Sequence, residues 1–316
     1  MLNADQVRFF EENGYLVLDD ILDQKTVLDP VRADYAALLD KLYDDWHAKG
    51  LLPPPGDMGF WDKLLLAYKS GCDWFQPFDI SLPGDVITAD TPFHFSQAVL
   101  DMITAPKLLD VIESLIGPEI TSNPIQHIRI KPPATDLHPG EIRAHITSTD
   151  WHQDQGVTHA SADQTRMVTV WIAVTDATRQ NGCLQVQPRR HREDLLPHCA
   201  KTQVGIPNEF LGGHRSIPLP VRSGGVVIFH PKSPHASLIN RTDGFRWSFD
   251  IRFNVTGQST GREHFPSFVA RSRANPEAEL RDAEVWRGMW EAARSRLAAA
   301  PHIAIHRWDS TAPYCA

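Results

Sequence analysis

A mainly β fold with flanking helices, built as one domain, is what this sequence predicts, and three observations carry that expectation. Short apolar runs separated by turn residues fill the second half of the chain, at 124–131, 146–152, 167–174, 183–187, 217–221, 226–230 and 246–254. That spacing belongs to a sandwich or a barrel. Helical periodicity is confined to the first 116 residues and to 276–298. No repeat, low-complexity tract or linker divides the 316 residues, which places a core at about 120–255, a helical and loop cap over 1–119 and a C-terminal extension over 256–316.

The elements follow in order from local chemistry. Residues 3–13 read as a short helix, with Asn3 or Asp5 as cap, Val7, Phe9 and Phe10 as its packing face and Gly14 as its stop. Tyr15–Leu18 is then a short strand. Between 23 and 49 the apolar positions Val27, Val31, Tyr35, Leu38, Leu42 and Trp46 recur every three or four residues, which predicts an amphipathic helix whose stripe is core. Residues 51–95 are irregular and rich in Pro, Gly and aromatics, including Trp61, Trp74, Phe75 and Phe78, and are read as a binding loop or cover. Residues 97–116 are helical up to Gly117-Pro118.

Composition excludes several classes. With 31 Lys+Arg against 39 Asp+Glu the net charge is −8, a poor match to a protein that gains nucleic-acid affinity from counterion release. Cys72, Cys183, Cys199 and Cys315 are far apart and form no CxxC pair, so a thiolate zinc site or disulfide scaffold is not expected, and reduced buried thiols are. The N-terminus carries charges where a secretory signal needs an apolar stretch, and no run of 18 uncharged apolar residues occurs. The expectation is a soluble cytoplasmic protein with a small-molecule substrate and neither membrane nor nucleic acid as partner; its oligomeric state is not readable.

Chemistry concentrates in two segments. In Trp151-His152-Gln153-Asp154, placed on a strand, His152 and Asp154 project to one face, the minimum for two ligands of one ion. Gly224-Gly225 then feeds an apolar strand that delivers His230 and His235, and a further strand opens with Arg246. Two His and a carboxylate on one face of iron leave adjacent positions open, and an arginine's planar fork suits a diacid's far carboxylate. His230 competes with His235 as the distal ligand. The same donor set also fits a zinc hydrolase, although no Glu stands at a spacing suited to a general base. From 246 the polar residues Arg246, Ser248, Asp250 and Arg252 alternate with Trp247, Phe249, Ile251 and Phe253, which predicts one face toward a ligand cavity and requires partners for Asp250 and Arg252.

These residues resemble the phytanoyl-CoA dioxygenase family of Fe(II)/2-oxoglutarate-dependent oxygenases. His152-x-Asp154, His235 followed by Ala-Ser, and Arg246 eleven residues later carry the resemblance, together with Lys131-Pro132-Pro133, Trp171-Ile172-Ala173 with Asp176, and Asn181-Gly182-Cys183-Leu184. It spans about 120–255 and implies a double-stranded β-helix (jelly-roll) core. It also implies that His152, Asp154 and His235 hold iron and that Arg246, with Ser237, Trp171 and His127, binds 2-oxoglutarate. His127 stands where relatives often carry Met. Where the family has Pro-Gly-Ser-His, this chain has Pro188-Arg189-Arg190-His191, read first as solvated surface and otherwise as a positive pocket rim. Gln153, Arg143 and Trp74 are the candidates for the substrate pocket.

The function implied is hydroxylation of an aliphatic C–H in a small organic molecule, using Fe(II), 2-oxoglutarate and O2 and releasing succinate and CO2. Desaturation, epoxidation and cyclisation use the same ligands and remain alternatives. Halogenation is disfavoured because Asp154 fills the position a halide would need. A non-catalytic cupin-like metal-binding protein is the reading from another class.

Overall fold

The computed structural model describes residues 1–143, 145–200 and 203–315. Eight helices are present among them: α1 Ala4–Asn13, α2 Asp29–Ala48, α3 Phe60–Lys69, α4 Phe75–Phe78, α5 Gln97–Ile103, α6 Pro106–Ile116, α7 Asn208–Leu211 and α8 Ala283–Ala298. The strands are β1 Tyr15–Leu18, β2 Glu119–Lys131, β3 Met167–Ala173, β4 Leu184–Val186, β5 Cys199–Ala200, β6 Val204–Gly205, β7 Ile217–Leu219, β8 Val226–Phe229, β9 His235–Ser237, β10 Arg246–Val255 and β11 Phe268–Ser272. No helix among the described residues is long and apolar enough to cross a membrane.

Two antiparallel sheets organise the molecule. The larger runs β1-β8-β3-β10-β2-β11 and the smaller β7-β4-β9, while β5 and β6 form a separate pair. One face of the large sheet packs on the small sheet through Trp171, Ala173, Val227 and Phe229 against Leu184, Val186 and Leu219. Its other face, with Ile128, Ile172, Ile228 and Phe249, meets the helices through Leu28, Val31, Tyr35, Phe78 and Leu108. Covered on both sides, β3 and β8 are buried at every residue, which is why they read as continuous apolar runs rather than alternating ones.

The helical layer follows its sequence signals with local adjustments. Asn3 and Gln6 form a reciprocal capping box on α1, and Gly14 ends it at φ 77°. A Cβ at Gly14 would stand 2.4 Å from His191 Nδ1, so this position tolerates only glycine. The helix predicted over 23–49 begins with a wide turn, Gln24–Leu28, capped by Asp23, before α2 proper. The stretch 97–116 divides into α5 and α6 at Pro106, because proline cannot donate into a preceding turn. Within 51–95, α3 and α4 form and seat Trp74 against Phe75 and Phe78.

One bulge shapes the site. β2 pairs β10 with Asp250 opposite His127 but Arg252 opposite Asn123. The two extra residues on β2 fall around Pro124, which lacks an N–H and is at home in such an interruption. Asn123 stabilises it, its carboxamide oxygen accepting from Ile125 N (3.0 Å) and its Nδ2 donating to Thr260 O (2.9 Å).

The expected strand at 146–152 is replaced by a turn in which Ile146 N and Thr147 N both donate to Arg143 O at 2.9 and 2.8 Å. Only its end lies alongside β9, where His152 bridges His235. The reduced-thiol expectation also fails for two cysteines, since Cys199 and Cys315 are joined by a disulfide. Their separation of 116 residues hid the pair, because the C-terminal segment folds back across the sheets to reach β5. Cys72 and Cys183 are free and buried.

Candidate metal centre and its two adjoining pockets

The three predicted ligands converge although they share no regular strand. His152 and His235 exchange backbone hydrogen bonds across the bridge, His152 N to His235 O at 3.0 Å and His235 N to His152 O at 2.9 Å. Asp154 then opens a single tight turn, Asp154–Val157, which swings its carboxylate back over both rings. Its Oδ1 lies 3.9 Å from His152 Nε2 and its Oδ2 3.8 Å from His235 Nε2. One ligand atom from each residue falls within 4.8 Å of the others. A divalent ion with bonds of about 2.0–2.2 Å fits among three atoms so spaced.

The surroundings prepare these groups as ligands. His152 Nδ1 faces Asp150 O at 2.8 Å and His235 Nδ1 faces Ser233 O at 3.0 Å. Each Nδ1 therefore carries the proton, and Nε2 is left with its lone pair toward the centre. Burial, with His235 next to it, pushes the His152 imidazolium down to about 3, so the ring is neutral at pH 7. Burial acts in the opposite direction on Asp154, but Arg252, His235 and His152 together outweigh it and hold the carboxyl below its ordinary value. Asp154 Oδ1 accepts from Arg252 Nη2, while its Oδ2 has no partner among the described residues. A buried carboxylate oxygen aimed at two imidazole lone pairs is a donor set for a cation.

Arg252 is the support of this arrangement. It lies on β10 and is 2% exposed. Its Nη1 donates to Ile125 O in the bulge at 3.0 Å. Asp250, two residues earlier on the same face, accepts from Arg129 Nη2 at 2.8 Å. The polar face predicted for β10 is thus present, and its charges at 250 and 252 have the partners that burial demands.

On one side of the triad lies a narrow recess lined by Trp171, Leu184, Phe229, Ser237 and Arg246. Arg246 is fully buried, sits over the Trp171 ring at 5.0 Å, and its Nε, Nη1 and Nη2 have no partner among the described residues. Burial, then Arg129, brings its pKa down to about 9. Directly opposite in register is Lys131, whose Nζ donates to Ser237 Oγ and whose pKa burial and Arg246 hold well below the ordinary value. Ser237 Oγ also accepts from Thr149 N at 2.7 Å. A buried guanidinium, the hydroxyl of Ser237 and the lysine that donates to it thus stand together.

On the other side is a cavity of about 210 Å³ that His127, His145 and Arg262 line together with His152. Here the sequence reading needs correction. His127 faces this cavity and not the recess, its Nδ1 held at 2.8 Å from Asp79 Oδ2. Trp74 is core. Gln153 is buried and braces two loops, its Nε2 donating to Lys232 O and its Oε1 accepting from Leu196 N, each at 2.8 Å. Arg143 is half exposed and clasps Glu141. The arginine-rich segment at 189–192 is structural: Arg190 donates to Gln187 and Leu211 O, and His191 Nε2 lies 3.0 Å from Glu11 O. His230 packs on His191 at 5.0 Å between ring centres and takes no part in the triad.

The far wall of that cavity comes from the C-terminal segment. Ile305 and His306 line it, and the segment is tied down immediately after them. Arg307 Nη1 donates to Asp163 Oδ2 at 2.8 Å, Trp308 Nε1 donates to Gly156 O at 2.6 Å, and Trp308 stacks on His198 at 5.0 Å. A larger open groove of about 1250 Å³ runs along the outside of the small sheet past Cys199 and Tyr314 and shares Thr149, Ala236 and Ser237 with the recess.

Residues 10–248 match the phytanoyl-CoA dioxygenase family. A probable phytanoyl-CoA dioxygenase of Caenorhabditis elegans is 28% identical over 80% of this chain and 75% of its own length. The peroxisomal phytanoyl-CoA dioxygenase of Rattus norvegicus is 25% identical over 91% and 81%. Among solved structures, the non-heme monooxygenase ThoJ aligns over 93% of this chain and 97% of its own at 18% identity and a TM-score of 0.59. The non-heme alpha-ketoglutarate-dependent carbocyclase SnoK aligns over 87% and 89% at 18% identity and 0.51, so the fold is shared.

Proposed function

The chain belongs to the phytanoyl-CoA dioxygenase family, and from that premise we propose that it is an Fe(II)- and 2-oxoglutarate-dependent oxygenase acting on a small organic molecule, with the sheets forming a double-stranded β-helix. His152, Asp154 and His235 are the iron ligands in this reading. Iron bound there, with 2-oxoglutarate, would supply activation of O2 for substrate oxidation as the co-substrate is converted to succinate and CO2. Hydroxylation of an aliphatic C–H is the outcome proposed.

The observation that carries the reading is the unpartnered guanidinium of Arg246 beside the triad. An unpaired buried cation is expensive, and a dicarboxylate whose far end enters the recess supplies its counter-charge. Ser237 offers that carboxylate a hydroxyl, Trp171 flattens one wall, and Lys131 adds a second nitrogen donor. Asp250 and Arg129 neutralise one another nearby, so they leave this charge uncompensated. A hydrolase or a passive metal-binding protein with the same triad has no use for such a group.

The test is an anaerobic titration of metal-free protein with Fe(II) and then 2-oxoglutarate, followed through the visible charge-transfer band of the chelate. The band is expected for the wild type and absent in His235→Ala. Iron binding without any band would refute the oxygenase reading.

A further inference from the structure

The second cavity is lined by charge that its neighbours do not cancel. Arg262 lies after β10 and is 4% exposed. It donates from Nη2 to Val157 O at 2.8 Å, and its Nε has no partner among the described residues. The other arginines on this wall are committed, Arg129 to Asp250 and Arg252 to Asp154. No Asp or Glu is among the residues that line the cavity. Its remaining polar groups are neutral or weakly basic, notably His145, whose Nδ1 is likewise unpartnered and whose imidazolium burial drives well below its ordinary pKa. Ile125 and Ile305 supply apolar surface beside Arg262.

We propose that this cavity is the substrate site, and that it selects a small aliphatic anion whose carboxylate or phosphonate head pairs with Arg262 while its chain lies between Ile125 and Ile305, toward the triad. The proposal rests on the oxygenase reading of the triad and goes on to name the substrate class. Position supports the assignment. Arg262 braces the carbonyl of Val157 at the end of the turn that opens with Asp154, so an anion held there stands one short turn from a metal ligand. An amide or ester in the same place would leave the guanidinium buried and uncompensated, which is the basis of discrimination.

The test uses protein loaded anaerobically with Fe(II) and saturating 2-oxoglutarate, so that the Arg246 recess is filled. Hexanoate, propylphosphonate and neutral hexanamide are titrated in by calorimetry, with the visible band recorded in parallel. Wild type is expected to bind at least one of the two anions tenfold or more tightly than the amide. Arg262→Gln should abolish that preference, Arg262→Lys should keep most of it, and the 2-oxoglutarate band should persist in both. Equal binding of acid and amide, binding of neither anion, or an unchanged preference in Arg262→Gln would overturn the assignment. If the glutamine variant does not fold, the wild-type comparison of acid with amide and the lysine variant still decide. Failure of the band in wild type would instead count against the oxygenase reading, and the change of the acid-to-amide ratio in Arg262→Gln would then report on Arg262.

Discussion

Two clusters of buried charge lie four residues apart on β10, at Arg246 and at Asp250, and they are built on opposite plans. Around the triad every charge meets an opposite one: Arg252 holds Asp154 and Asp250 holds Arg129, while Arg252 Nη1 donates to a backbone carbonyl. In the recess, Arg246 stands opposite Lys131 in the β2–β10 register, and Lys131 donates to the Ser237 hydroxyl while Arg246 has no partner among the described residues. The first plan fixes geometry, because each charge is held by an opposite one. The second stores electrostatic cost that a dianion relieves. Charges that hold the fold come paired, and charges that bind come alone.

That contrast can be broken at several points. The largest effect belongs to the ligands themselves: His235→Ala or His152→Ala should lose iron and all turnover, read by metal analysis and succinate release. Arg252→Leu should be the costliest change to stability, about 3–5 kcal/mol for breaking a buried pair, and should weaken metal binding by about 10–100-fold, the usual effect of removing a group that orients a ligand. Denaturant unfolding of the metal-free protein checks the first, and competition with a chelator the second. Arg246→Leu should behave in the opposite way. Its affinity for 2-oxoglutarate should fall more than tenfold, a charge-assisted hydrogen bond being worth about 1.5–3 kcal/mol, while the ligand-free protein should melt at the wild-type temperature or above it. Equal destabilisation by Arg246→Leu and Arg252→Leu would erase the distinction between the two clusters.

The sequence disclosed one side of this contrast better than the other. Alternation along 246–252 placed Arg246, Asp250 and Arg252 on one polar face, and the demand that buried charges be paired foretold that Asp250 and Arg252 have partners. Which partners could not be read, because the register of β2 against β10 depends on the bulge at Pro124, and the residue opposite Arg246 lies 115 positions away in the chain. Lys131 was therefore visible as part of a motif but not as a second nitrogen donor of the recess. The triad was legible through residue identity although its assumed strand was not there, since the Asp154 turn achieves by a reversal of backbone what i and i+2 spacing achieves by pleat. Trp74 misled because an aromatic in an irregular stretch looks the same whether it lines a pocket or seals a helix. Arg262, Ile305 and the Cys199–Cys315 tie gave no local signal. Arg262 and Ile305 line the second cavity from segments that lie far from the triad in the chain.

The smallest effect sets the scale for the rest, because it comes from a pair near the protein surface. Glu141 accepts from Arg143 Nη2 at 2.7 Å and from Arg143 N at 3.1 Å. Against the opposing effect of burial, Arg143 leads in drawing its carboxyl from an ordinary value of 4.5 down to about 2. A carboxyl depressed on folding stabilises the native state fully above the unfolded value and loses that contribution as the pH falls through the folded one. The window is thus between about 4.5 and about 2. Glu141→Gln should be less stable than wild type at pH 7 by under about 1 kcal/mol, since a pair this open is screened by solvent, and the two proteins should converge as the pH approaches the lower limit. Melting temperatures taken across that range provide the check. A difference that stays constant with pH would assign the loss to the neutral contact with the Tyr68 hydroxyl, at 3.3 Å, and remove this pair from the electrostatic comparison.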